Sequence, residues 1–500
     1  MTNLARIISR ANLGIEAPEV IIEIHLSPGL PALSIVGLPE AAVKESKERV
    51  RSALINSGFS FPTRRITVNL APADLPKKDG GRFDLPIALG ILAASKQLSF
   101  QNFDQYEFAG ELSLDGSLRS IGGILPFAIA TKKSKRTLIL PKKNAKEASL
   151  AIKIDILAAD HLLEICAHFS GSPKLNPYVE ETVKTTLTIE EELDLSDIYG
   201  QVQAKRALEI IAAGGHNLLM IGPPGVGKTM LAQRLTTILP PLSEEQKLET
   251  AVVYSLSEHS FELEHKHPPF RAPHHTISTA ALVGGSSPPR PGEISLAHNG
   301  VLFLDELLEF NRKAIEALRE PLEAKSITIS RASYRMRFPA NFQLVVAMNP
   351  CPCGYYGARG SQCNCTGEQI KRYRSRISGP FLDRLDFLLT IPALPKEIWF
   401  SKKIKGESSQ EIRLRVVKAR EVALLRQGKI NSALNNRELE QVCGLSSKEK
   451  EFFEEVIEKL SLSGRASQRI LRVARTIADL ADRKNIELGH LKEALGYRQV

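Results

Sequence analysis

Residues 222 to 229 read Gly222-Pro223-Pro224-Gly225-Val226-Gly227-Lys228-Thr229, after the apolar run Asn217 to Ile221 and before Met230 to Arg234. Strand, glycine-rich turn and helix in that order make a phosphate-binding loop. Successive backbone N–H groups and the helix N-terminus would face the phosphates, with Gly222, Gly225 and Gly227 allowing the close approach. Lys228 would reach the β and γ phosphates, and the Thr229 hydroxyl would take a Mg²⁺ site. The plainer alternative is a glycine turn that caps a helix.

Binding a nucleotide does not hydrolyse it, and the further parts lie downstream. Gly300-Val301-Leu302-Phe303-Leu304-Asp305-Glu306 is an apolar strand ending in two acids. Asp305 can hold Mg²⁺, directly or through water, and Glu306 can orient and deprotonate the attacking water. A second apolar strand, Gln343 to Met348, ends at Asn349-Pro350; an asparagine there can bridge the water and the γ phosphate. Arg384 stands between two aspartates, Asp383 and Asp386. Within one chain it reads as an ion pair, and in a ring it could reach a neighbour's nucleotide. Ser463-Gly464-Arg465 opens a helix carrying Arg469, Arg472 and Arg475. One of these arginines could close over the nucleotide while the others face solvent, acids or a polyanion.

Two C-x-C pairs, Cys351 with Cys353 and Cys363 with Cys365, follow Asn349-Pro350 directly. Four thiolates could close a tetrahedral Zn²⁺ site; four unligated thiols on a glycine-rich loop are the alternative. Cys166 and Cys443 lie alone in apolar settings and read as core residues. His274-His275 reads as a metal or phosphate ligand pair or as a solvated loop pair. Lys371-Arg372-Tyr373-Arg374-Ser375-Arg376 reads as a nucleic-acid backbone footprint, a solvated face or a subunit contact. Arg331 and Arg335 stand near the tip of an expected hairpin, Ser326 to Ser330 with Tyr334 to Phe338.

These groups need elements to hold them. The chain has 500 residues, 43% of them hydrophobic and 24% charged, with a net charge of +10 and six cysteines. That describes a water-soluble protein of about three domains with no disulfide framework, and the charge favours a polyanionic partner. The start has no secretory core, and the apolar run Leu85 to Ala94 is too short to span a bilayer, so a cytoplasmic protein without membrane contact is expected. Residues 1–170 read as mixed α/β, with strands at Val20 to Leu26, Ala32 to Val36 and Arg65 to Leu70. Helices are expected at Glu40 to Ser57 and at Asp84 to Ser95, with the Asp84 carboxylate facing the free N–H groups of the helix start. Residues 171–197 read as a linker, 198–395 as a nucleotide-binding α/β domain, and 396–500 as helical, with helices at Gln410 to Arg426, Ser447 to Leu460, Ser467 to Arg483 and Ile486 to Gly496.

The order of parts from Ile198 onward resembles the AAA+ ATPases, in particular their magnesium-chelatase-like branch. The resemblance makes Lys228 and Thr229 similar to Walker A, Asp305 and Glu306 to Walker B, Asn349 to sensor 1, Arg384 to the arginine finger and Arg465 to sensor 2. It also covers RAPHHTIS at 271–278 and PGEISLAHNG at 291–300, the insertion typical of that branch. The N-terminal stretches Lys78-Asp79-Gly80-Gly81-Arg82, Gly110-Glu111-Leu112 and Gly122-Gly123 resemble the Lon protease domain. Where Lon carries its nucleophilic serine and its lysine, this chain has Arg82 and Leu125, so the dyad chemistry is absent.

A Lon-like domain ahead of a chelatase-like ATPase and a helical lid resembles the ComM (YifB) family. That resemblance implies ATP and Mg²⁺ as cofactors, a homo-hexamer, and a DNA motor promoting branch migration during natural transformation, acting on single-stranded and branched DNA. Chelatase motor subunits lack an insert like the cysteine pairs. A chelatase-type ATPase that remodels a protein partner for metal insertion into a tetrapyrrole is the main rival. A peptidase is opposed by Arg82 and Leu125, and a nucleotide-dependent scaffold by the hydrolysis motifs.

Overall fold

The computed structural model describes residues 4–37, 41–75, 77, 80–98, 102–171, 173–179, 193–257, 267–285, 289–331, 334–357, 363–393 and 406–498. Lys78, Asp79 and most of the acidic run before Asp194 lie outside them. Among the described residues, no helix is long and apolar enough to cross a membrane.

The N-terminal segment opens with a four-stranded sheet in the order Leu4–Arg10, Glu19–Ser27, Arg65–Ala71, Ala32–Val36. Glu19–Ser27 alternates strictly, so Val20, Ile22, Ile24 and Leu26 all point into the core. Burying each such side chain contributes about 1.5–3 kcal/mol relative to exposure. The helix Asp84–Ala94 covers this face, almost wholly buried. At Gly90 an added Cβ would meet Ile24 Cδ1 at 2.1 Å, so the helix lies this close to the sheet only because that residue is glycine. A second, parallel sheet joins Tyr106–Phe108, Thr137–Pro141 and Ile156–Ala159.

Asp84 does not cap its helix. Its buried carboxylate takes two hydrogen bonds from Arg49, at 2.7 and 3.1 Å, and one from the Leu112 N–H at 3.3 Å. Residues 193–197, read above as the end of a linker, are packed. Leu195 is fully buried, and the Asp194 carboxylate accepts the backbone N–H groups of Ser196 and Ser409.

The middle segment is a five-stranded parallel sheet in the order Phe270–Arg271, Val301–Leu304, Gln343–Met348, Leu218–Ile221, Phe387–Thr390. Its three central strands are buried on both faces, as their unbroken apolar sequences require. One face shares a core with the C-terminal helices Ser409–Gln427 and Gly464–Leu480 through Ile412, Val416, Ile470, Val473 and Ile477. Ser463 starts the second of these by accepting the Ala466 N–H, and its apolar residues recur at helical spacing. A short helix, Asn436–Val442, was not anticipated; Asn435 and Glu438 form its capping box.

The helix Glu244–Ser255 joins the two halves. Ala251 and Val252 enter the N-terminal core beside Leu125, Ala128 and Ala148, while Val253 and Tyr254 pack on Leu296 of the nucleotide-binding segment.

Candidate nucleotide site

The phosphate loop runs from the Leu218–Ile221 strand to the helix Lys228–Ile238. Gly225 and Gly227 have φ of 78° and 89°, in the left-handed region that favours glycine, yet an added Cβ at either meets nothing within 4 Å. In the protein alone these two glycines serve backbone conformation. Only Gly222 answers a close approach, since its Cβ would fall 2.6 Å from the Ile391 carbonyl oxygen. Pro223 is buried, Pro224 exposed and Val226 half-buried within the loop.

Lys228 Nζ donates to the carbonyls of Gly222 (2.7 Å) and Pro223 (3.0 Å) and to Asn349 Oδ1 (3.1 Å). Burial pushes this ammonium below the ordinary lysine value, and Asp305 and Glu306 pull it back. The Thr229 hydroxyl donates to Asp305 Oδ2 at 2.7 Å, and Asp305 Oδ1 accepts the Glu306 N–H at 2.9 Å. Sheet pairing explains this meeting of distant residues. Leu218–Ile221 lies in register with Val345 to Met348, and Val301–Leu304 with Gln343 to Val346, so the strand ends carrying the loop, Asn349 and Asp305 share one edge. A lysine, a hydroxyl and a carboxylate converging on a loop of left-handed glycines suit a Mg²⁺-bound triphosphate.

Glu306 adopts φ 51° and is half exposed. His275 Nδ1 stands 3.4 Å from its Oε2, and the His274 and His275 rings lie 4.1 Å apart. His275, read above as one of a metal- or phosphate-ligand pair or of a solvated loop pair, is thus half-buried against the Glu306 carboxylate. The strand Phe270–Arg271 brings it there by pairing with Val301 and Leu302.

Arg384 and Arg465 are placed elsewhere. Arg384 pairs with Glu323 and donates to the Pro380 carbonyl, while Arg465 lies exposed on the first turn of Gly464–Leu480. The arginines after Arg465 turn inward. Arg469 reaches Asp386 at 3.4 Å, Arg472 donates to the Leu434 carbonyl, and Arg475 is 1% exposed and bonded to Asp479. Burial would raise the Asp386 carboxyl, but His216, Arg469 and the Asn217 N–H hold it down to about 2.

The Sγ atoms of Cys351, Cys353, Cys363 and Cys365 all lie within 4.8 Å of one another. Cys166 and Cys443 are buried, as expected of core thiols. The basic run divides: Lys371, Arg372 and Arg376 are exposed, Arg376 also donating to the Leu308 carbonyl at 3.5 Å, whereas Arg374 is half-buried and donates to the Pro350 carbonyl. Ser326–Arg331 and Tyr334–Pro339 form the antiparallel hairpin, with Arg335 exposed; the Arg331 side chain lies outside the described residues.

In the N-terminal segment Arg82 is fully buried. It donates to the Gly122 carbonyl at 2.6 Å and to Asn12 Oδ1 at 2.7 Å, with its guanidinium 5.8 Å from the Phe127 ring centre. The Gly123 and Leu125 N–H groups donate to the backbone oxygen and hydroxyl of Ser255 at the end of the joining helix. Arg82 and Leu125, aligned above with the Lon serine and lysine, are thus a bound guanidinium and a buried apolar side chain.

A parallel sheet with its phosphate loop, acidic strand end and helical lid defines a magnesium-chelatase-type AAA+ ATPase core. Residues 194–398 match the family described as magnesium chelatase, subunit ChlI, residues 22–144 that described as subunit ChlI of Mg-chelatase, and residues 406–498 its C-terminal family. The competence protein ComM of Haemophilus influenzae is 53% identical over 500 residues, covering 99% of this chain and 97% of its own. A protein named YifB from Escherichia coli is 50% identical over 500 residues, covering 100% and 97%. Lon protease 2 of Bacillus subtilis is 26% identical over 190 residues, covering 33% and 34%, a weak likeness. The chain belongs to the ComM (YifB) family.

Proposed function

We propose that the chain is an ATP-driven DNA motor, working as a homo-hexamer, that promotes branch migration in natural transformation and recombination. The observation that carries the DNA reading is the 53% identity, over nearly the whole chain, to a protein named for competence. The exposed Lys371 and Arg372 and the net charge of +10 are compatible with a polyanion along this surface. We also infer a division into a Lon-like domain (1–170), a linker (171–197) whose last residues, 193–197, pack onto the core, the ATPase core (198–395) and the lid (396–500).

In this reading Lys228 and the loop N–H groups bind the triphosphate, and Thr229 and Asp305 hold Mg²⁺, which when bound neutralises charge on the phosphates. Glu306 takes the proton of the attacking water, and Asn349 orients that water once the triphosphate draws Lys228 away from it. Arg384 lies outside its own subunit's loop, as a group acting on a neighbour's nucleotide must. Arg465 closes from the lid. The four cysteines hold a structural Zn²⁺.

The matches to magnesium-chelatase families favour a second reading, an ATPase that remodels a protein partner for metal insertion. The two readings separate in an ATPase assay with single-stranded, duplex and four-way-junction DNA, joined to a junction-conversion assay. The motor predicts stimulation by DNA and conversion of mobile junctions with ATP and Mg²⁺. ATPase indifferent to DNA and no junction processing, from folded and hydrolysing rings, would remove the motor and leave the ATPase core.

A further inference from the structure

The two C-x-C pairs sit at a crossing in the fold. The first follows the Gln343–Met348 strand and Asn349-Pro350; the second precedes the helix Gly367–Arg374. Sγ separations are 3.3 Å for Cys351–Cys353, 3.5 Å for Cys353–Cys363 and 3.7 Å for Cys351–Cys363. Four Zn–S bonds of about 2.3 Å in a tetrahedron demand edges of about 3.8 Å. These three edges need a slight expansion to suit one ion, the Cys365 sulfur lies within 4.8 Å of the other three, and the three edges are far longer than a disulfide bond. Cys351 is fully buried and its sulfur accepts the Tyr356 N–H at 3.3 Å, a contact that orients a thiolate ligand.

The turn between the pairs presses on the nucleotide loop. Gly354 has φ 86°, and its Cβ would fall 2.8 Å from Pro224 Cδ and 3.9 Å from Asn349 Cγ. The cysteine turn therefore lies bare-backboned against the phosphate-loop proline and beside the asparagine that binds Lys228. Arg374, on the helix after the second pair, donates to the Pro350 carbonyl at 3.2 Å and lies 5.6 Å from the Tyr356 ring centre. Lys371 and Arg372 stand exposed on that same helix.

We propose that the four-cysteine site, holding one zinc ion, is the brace through which the Lys371–Arg372 helix and the phosphate loop are coupled, so that its occupancy sets nucleotide affinity. The proposal rests on the zinc reading above. With the ion bound, both ends of the segment are pinned to one point and Gly354 supports Pro224. Without it, the sulfurs keep only weak thiol–thiol contacts and the Tyr356 N–H, the turn loosens, and the loop must be ordered when nucleotide binds.

The test uses the full-length protein. Elemental analysis measures zinc, and titration of a fluorescent ADP analogue in excess Mg²⁺ measures affinity, before and after a chelator selective for zinc over magnesium. Gly354→Ala keeps all four thiols but pushes a methyl at Pro224. Gly357→Ala is the control, because Gly357 is also left-handed at φ 77° but its Cβ would meet nothing within 4 Å. We expect about one zinc per chain. Chelation and Gly354→Ala should each weaken ADP binding by about tenfold or more, with circular dichroism unchanged and zinc retained in Gly354→Ala, while Gly357→Ala binds as wild type. A zinc-loaded protein whose ADP affinity ignores both chelation and Gly354→Ala would overturn the coupling and leave the zinc reading intact. A protein that neither carries zinc nor takes it up on titration would overturn both.

Discussion

Two candidate sites in this chain begin from similar material, glycine-rich turns at helix starts, and end differently. At the phosphate loop, Lys228, Thr229, Asp305 and Asn349 are joined by hydrogen bonds of 2.7 to 3.1 Å around a loop open to solvent. At the Lon-like position the corresponding space is filled. Arg82 is 1% exposed and bound to Gly122, and Leu125 is fully buried. The first site keeps its polar groups reachable by a ligand, so their mutual bonds are replaceable. The second has spent its polar groups on the fold, and the helix Glu244–Ser255 packs over Leu125, its Ser255 accepting the Gly123 and Leu125 N–H groups. A reactive site and a structural one are thus told apart by whether the charged group's partners can be exchanged.

The largest effect expected is at Glu306. Glu306→Gln should lower the ATPase rate by about 10²–10⁴-fold, with nucleotide binding retained, as single-turnover and binding assays will show. Wild-type turnover would take Glu306 out of the reaction and blur the contrast between the two sites. Arg384→Ala should also lose hydrolysis while each chain still binds ATP. Mixed with Lys228→Ala it should regain part of the activity, at interfaces where an intact loop meets an intact arginine. Mixed rings with no recovery would count against action between subunits.

Arg82 should behave as a structural residue. Arg82→Ala leaves the Gly122 carbonyl and Asn12 without their donor, at a cost of about 1–3 kcal/mol. Calorimetry should show the N-terminal transition lowered while ATP hydrolysis persists. Restoring the reactive types, Arg82→Ser with Leu125→Lys, should yield no peptidase activity on casein, because the joining helix still covers the position. Cleavage by that variant would mean the site is dormant instead of filled.

The smallest effect concerns Asp84, beside Arg82. Burial pushes its carboxyl up to about 6, against the opposing pull of Arg49. A folded value above the unfolded one of about 3.9 means the protonated acid favours the fold. That contribution is complete below about pH 4 and is lost as pH rises through about 6. Denaturant midpoints of wild type and Asp84→Asn, measured from pH 4 to 7.5, should differ by an amount that changes across this window. A constant difference would show that Arg49 holds the carboxylate ionised throughout.

Much of the fold was legible because its signals are local. The strands Ala32–Val36 and Gln343–Met348 announce themselves by β-branched and apolar runs, and the helix Ser409–Gln427 matches the one expected at Gln410 to Arg426. The helix Asn436–Val442 escaped because seven residues with one fully buried apolar side chain make almost no pattern. Arg374 reads as part of an exposed basic footprint because a charge run does not say which side chains turn back. The Pro350 carbonyl decides that, and it belongs to another segment.

The sequence by itself determined the loop chemistry of Gly222 to Thr229, the acidic strand end at Asp305 and Glu306, the four thiols in two pairs and the missing serine and lysine. Each is a matter of residue type at fixed spacing, which the covalent chain carries without help. Only the tertiary structure decided that His275 stands 3.4 Å from Glu306, that Arg384 pairs with Glu323, that Gly354 lies against Pro224 and that Ser255 receives the N–H groups of Gly123 and Leu125. These meetings depend on strand order and register and on how helices pack. Such contacts are fixed by burial summed over the whole core, so no short stretch of sequence encodes them.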